Sequence, residues 1–147
     1  MLPVRTLVAR ATLVGFSLSA VLVVGCDRMR DVKRCRTLAR QVNASFDVIE
    51  KEFGRGPKDT SYAAIAKEYT ALAQGLDGFD GGTPELNRAV VDLGSLARNA
   101  SRQATGLDEA RKADNKITAG VYTHELERLS RQEKGIAARI DDECRPR

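Results

Sequence analysis

The chain has no tryptophan, one histidine and few aromatics of any kind, at 5% of 147 residues. That scarcity argues against a stacking surface for bases or sugars, which needs exposed rings along a groove. A single histidine and three cysteines without close spacing make a poor ligand set for zinc, so no metal and no cofactor is expected. Strand signals are missing as well. No run of alternating β-branched residues bounded by turn residues occurs after the N-terminal segment. The formal net charge is +4 and charges of both signs are interspersed, so no nucleic-acid partner is expected.

What is present begins with an apolar N-terminal segment. Arg5 and Arg10 form a positive start with no acidic residue, and Ala11–Val24 follows as an uncharged run of 14 residues. That run is shorter than the roughly 20 residues that span a bilayer core, but it has the plan of an export signal. It closes on Val23-Val24-Gly25-Cys26. This tetrad resembles the lipobox of bacterial lipoproteins, with Val23 where the class prefers leucine. The resemblance covers about a sixth of the chain and implies nothing about the fold of the rest. It implies cleavage after Gly25, lipid attachment at Cys26 through a diacylglycerol thioether, and a further N-acyl chain of the palmitate kind. Residues 1–25 are then a signal peptide and residues 26–147 one lipid-anchored domain on the extracytoplasmic or periplasmic face of a membrane. Inner and outer membranes both stay open, although Asp27 resembles a retention signal for the inner one. Three acyl chains make an effectively permanent anchor, since each buried methylene contributes about 0.8 kcal/mol.

With Cys26 given to lipid, Cys35 and Cys144 remain as a pair. An exported chain meets an oxidising compartment, so a disulfide is expected, with two separate reduced thiols as the alternative.

The 122 residues from Cys26 onward suffice for one core, and losing Arg5 and Arg10 lowers the net charge to +2. Helical periodicity dominates. The first stripe is Met29, Val32, Cys35, Leu38, Val42, Phe46, Ile49 and Phe53, ended by Gly54-Arg55-Gly56-Pro57. Asp59 or Thr60 is expected to cap a second helix with the stripe Tyr62, Ile65, Tyr69, Leu72, Leu76. Thr83-Pro84-Glu85 combines an N-cap, a proline at the first helical position and an acid in the first turn. It opens a third, alanine-rich stripe, Leu86, Val90, Leu93, Ala97, Ala100, Ala104, Leu107. Gly106 marks a candidate break. After Asp114-Asn115 the last stripe runs Ile117, Val121 or Tyr122, Leu126, Leu129, Ile136, Ile140, Cys144.

Four helices with short loops predict an all-α, up-down-up-down antiparallel bundle; a three-helix bundle kinked at Gly106 is the alternative. An even helix number puts Cys35 and Cys144 at one end. A bridge between them closes a loop of more than 100 residues, stabilising by up to about 4.7 kcal/mol through loop-closure entropy.

The same end gathers Arg28, Arg30, Lys33, Arg34, Arg145 and Arg147. Basic residues beside anionic lipid each contribute about 1 kcal/mol, less with salt, so this cluster is a candidate membrane-surface contact. A solvated helix face explains it equally well.

Catalytic signals are sparse. His124 has no recognisable partner, and Thr118, Thr123 and Ser130 form no nucleophile constellation. Gly54–Thr60 lacks the spacing of a phosphate loop, and Asp77 with Asp80 lacks the closing glutamate of a calcium loop. Glu125 with Glu127, or Asp141 with Asp142, diverge on a helix surface. No enzymatic activity is expected. The reading is a lipid-anchored envelope protein that binds or positions another envelope component of unknown identity. A ligand held within the bundle is the second reading. The loops near Arg55–Lys58 and Asp114–Lys116 are the expected contact points.

Overall fold

A computed structural model of the chain describes residues 32–56 and 58–145. It is an all-α four-helix bundle. Helix α1 covers 32–53. Helices α2, α3 and α4 are Tyr62–Leu76, Pro84–Lys112 and Lys116–Cys144. No strand occurs among the described residues, and none of their helices is long and apolar enough to cross a membrane. The proposed signal, its tetrad ending in Cys26, and Arg28, Arg30 and Arg147 lie outside the described residues.

Helices α2, α3 and α4 start where local chemistry can satisfy their free amides. Ser61 Oγ accepts from Ala64 N at 3.2 Å, Thr83 Oγ1 from Leu86 N at 3.1 Å, and Asn115 Oδ1 from Thr118 N at 3.1 Å. The cap of α2 is thus Ser61 rather than Asp59 or Thr60. Thr60 instead turns its hydroxyl onto the Gly56 carbonyl at 2.7 Å, closing the loop one residue earlier.

Helix α3 runs unbroken through Gly106, so the three-helix alternative is not what forms. Gly106 is required by packing: a Cβ there would collide with the Tyr122 ring of α4. Ala97, Ala100 and Ala104 have no exposure, because their small side chains let neighbouring helices close over α3. The anticipated stripes of α2 and α3 are buried throughout, save Tyr62 at the start of α2, which is half-buried.

The outer helices depart from the apolar reading in an informative way. In α1 the buried line is Cys35, Leu38, Val42, Ser45, Ile49, Glu52. These steps of three and four pass through two polar residues, while Phe46 and Phe53 sit beside the line. Val32 and Phe53 are exposed at the helix ends. In α4, Tyr122 faces inward, whereas Ile117 is 85% and Val121 65% exposed. The sulfurs of Cys35 and Cys144 are at disulfide distance, with the Cα atoms 5.4 Å apart. The start of α1 and the end of α4 therefore share one end, here the disulfide pole.

Candidate functional site

The disulfide pole is tied by more than its cysteines. Arg34 donates to the Asp80 carbonyl at 3.0 Å, and Thr83 donates to Glu143 at 2.6 Å. Arg34 and Lys33 are exposed. Arg145 is exposed too, but it pairs with Asp141 at 3.0 Å and Asp142 at 3.7 Å. Of the described cations proposed for a membrane surface, Arg145 is therefore largely neutralised by its own helix.

The opposite pole is built differently. Phe53, the last residue of α1, lies 18 residues beyond Cys35. The same distance back from Cys144 along α4 reaches Leu126, the first buried residue of that helix. Ten residues of α4, 116–125, remain, about 15 Å at the α-helical rise of about 1.5 Å per residue. Helix α2 gives the same level. Tyr69 bonds to Glu133, so Tyr62, seven residues earlier, is also level with Leu126. The α3–α4 hairpin thus overhangs the end of α1 and α2.

A cleft of about 1010 Å³ occupies the space under this overhang. Its floor is aromatic and aliphatic: Phe53, Tyr62, Leu107 and Leu126. Phe53 and Tyr62 meet edge to face, with ring centroids 6.3 Å apart. The Arg111 guanidinium stacks 5.0 Å from the Tyr62 ring centre, a cation–π contact. On α4 the lining is small and polar, with Ala119, Gly120 and Thr123 between Lys116 and Glu127 and Ser130 one turn beyond. Of the two expected contact regions, the Asp114–Lys116 turn lines this cleft, whereas Arg55, Gly56 and Lys58 do not and only Thr60, at the end of their loop, reaches it. An exposed apolar element was not foreseen there, and Phe53, Ile117 and Val121 supply one at the same pole.

A second arrangement, midway along the bundle, has no counterpart in the apolar pattern. Tyr69, buried on α2, donates to Glu133 Oε2 on α4 at 2.9 Å. Burial raises the Glu133 carboxyl above the usual glutamate range. The Tyr69 hydrogen bond opposes that rise, and the Glu50 charge on α1 adds to it. Burial and the Glu133 carboxylate likewise push the Tyr69 hydroxyl well above its ordinary value. The signal in the sequence was a gap. Leu129 and Ile136 are seven apart, and Glu133 fills the core position between them. Near the open pole Glu52 is buried as well. Its Oε1 pairs with Arg55 at 3.1 Å, while Oε2 has no hydrogen-bond partner among the described residues.

The remaining candidates stay apart. His124 is exposed. Glu125 is held by Arg128, whose hydrogen bonds keep its carboxyl below the usual range, while Glu127 lines the cleft. Asp141 and Asp142 are engaged by Arg145. The described residues contain no group of three or more His, Cys, Asp and Glu able to hold a metal. No protein-family model, curated protein or solved structure matches the chain.

Proposed function

We propose that the protein is a lipid-anchored module of the bacterial cell envelope, which binds or positions another component without catalysis of its own. Cys26 is the lipid attachment residue in this reading, and residues 1–25 are the signal removed before acylation. The observation that carries the contact role is the overhung cleft at the pole opposite the disulfide. Cys26 is nine residues from Cys35. A lipid there sets the disulfide pole against the membrane and turns the cleft outward, toward whatever the protein meets. Lys33 and Arg34, with Arg28 and Arg30, would then lie at the headgroup level. Arg145 contributes less, since Asp141 and Asp142 balance it.

Metabolic labelling with an alkyne-tagged fatty acid tests the anchor. The full chain is expected to take up label and to fractionate with membranes. Cys26→Ser is expected to abolish the label while the Cys35–Cys144 bridge still forms. Equal labelling of both chains would refute the assignment of Cys26. Crosslinking in intact cells from a photoreactive residue placed at Thr60 tests the contact role. A discrete adduct is expected, and none from the same probe at Arg88, outside the cleft; equal or absent adducts at both positions would refute it.

A further inference from the structure

At the level of the overhang the bundle has only two helices. A two-helix layer leaves apolar surface uncovered: Phe53 is 41% exposed at the end of α1, and Tyr62 beside it is half-buried. Elsewhere four helices enclose the core. The missing pair must match the overhang in length and lie antiparallel to it. A second α3–α4 hairpin tip, related by a two-fold axis, has both properties by construction, because a C2 interface uses one patch on both partners.

The cleft face of α4 has the symmetry such an interface needs. Lys116 and Glu127 are equidistant from the peptide between Val121 and Tyr122, and so are Gly120 and Thr123. All four residues line the cleft. With the axis crossing that peptide, Lys116 of each copy faces Glu127 of the other. The small residues Gly120 and Thr123 lie opposite each other, and a Cβ at Gly120 would meet nothing within 4 Å in the single chain. Close approach of two helices is sterically open there. The Asp114 turn of one copy then comes within about two residues, or about 3 Å of helical rise, of the level of Arg131 in the other. An arginine side chain spans that offset.

The charges fit as well. Among the described residues the side chains of Lys116, Glu127, Asp114 and Arg131 take part in no ion pair or hydrogen bond. Two are cationic and two anionic, and the two-fold pairs opposite signs.

We propose that this face joins two copies of the chain end to end, the α3–α4 tip of each filling the cleft of the other. The overhung layer then becomes a four-helix layer that covers both Phe53 side chains. The proposal deepens the reading of the cleft as a contact site, and it holds whether or not Cys26 carries lipid. Anchors attached near Cys35 would then lie at the two far ends of the dimer, so that it lies along one membrane or bridges two.

Sedimentation equilibrium of the full chain in density-matched detergent tests it. Twice the chain mass is expected. Lys116→Glu and Glu127→Lys each place like charges across the axis twice, and each is expected to weaken the dimer about tenfold or more. The double exchange K116E/E127K restores opposite pairing and is expected to recover the dimer. Circular dichroism of each variant should match the parent, since both side chains are exposed. Cys26→Ser is expected to leave the dimer intact, which separates this outcome from any failure of the lipid assignment. A chain that stays monomeric overturns the proposal, including one whose cleft takes up a fatty acid instead. So does a double exchange that stays monomeric, or a single reversal without effect.

Discussion

Glu133 occupies a core position where leucine or isoleucine would ordinarily sit, and its neighbours decide what that does. Tyr69 on α2 donates to it, Glu50 on α1 repels it, and Lys134 on its own helix offsets part of that repulsion. The net effect of burial is a carboxyl that holds its proton above the usual glutamate value of 4.5. The folded state therefore binds a proton that the unfolded state has already released. Its contribution to stability is full below the unfolded value and is lost as pH rises through the folded one. Thermal unfolding of Glu133→Gln should show a flatter pH dependence above 4.5 than the parent, with the variant the more stable at neutral pH. A parent without that decline would remove Glu133 as its source. Tyr69→Phe acts oppositely. It strips the carboxylate of its buried donor and is expected to destabilise by about 1–3 kcal/mol, measured by urea unfolding at neutral pH. The same substitution should raise the Glu133 carboxyl further, steepening the pH dependence.

At the scale of single helices, two glycines in α3 separate propensity from packing. Each lowers helix stability by about 1 kcal/mol relative to alanine. At Gly94 a Cβ would meet only ordinary contacts, at 3.6–3.9 Å from Arg98 and Leu76. Gly94→Ala should therefore stabilise by up to about 1 kcal/mol. At Gly106 the added methyl strikes the Tyr122 ring, which must leave its seat on α3. Overpacking of this kind costs about 1–3 kcal/mol, more than the propensity gain, so Gly106→Ala should lower the unfolding midpoint while Gly94→Ala raises it. The pair also marks how far the sequence could be read. Apolar spacing located α2 and α3 and their buried faces, and Thr83-Pro84 fixed the start of α3, because both signals are local. The centre lines of α1 and α4 were not legible from apolar residues alone. Ser45, Glu52 and Glu133 complete them, and a pattern built on hydrophobicity steps around polar residues. The outward turn of Ile117 was hidden for a different reason. It depends on α1 ending at Phe53 while α4 continues, a mismatch of lengths between helices distant in sequence. The cleft is a product of that mismatch, and no motif within either helix announces it.

For the molecule as a whole, the Cys35–Cys144 link joins positions separated by 109 residues and so spans nearly the entire folded domain. A cross-link over so long a loop removes much of the freedom of the unfolded chain. It also holds α1 against α4, the first and last helices, which no connecting loop keeps together. The polar residues on their inward faces make this hold matter more. Ser45 and Glu52 on α1, and Glu133 on α4, replace apolar volume that would otherwise bind these helices to the core. Helices α2 and α3 are short of neither apolar contact nor a short connection, since their buried stripes are continuous and only seven residues separate Leu76 from Pro84. Losing the bridge should thus act unevenly. Replacing both cysteines, as C35S/C144S, is expected to destabilise by about 2–5 kcal/mol, which lowers the melting temperature by roughly 10 °C or more in a domain of this size. Hydrogen exchange should show the asymmetry directly. Amides of α1 should lose most protection in the double variant, while those of α2 and α3 near Leu72 and Leu93 keep the most. Uniform loss across all four helices would mean that the bridge acts on the unfolded chain alone and leaves α1 as firmly seated as the rest.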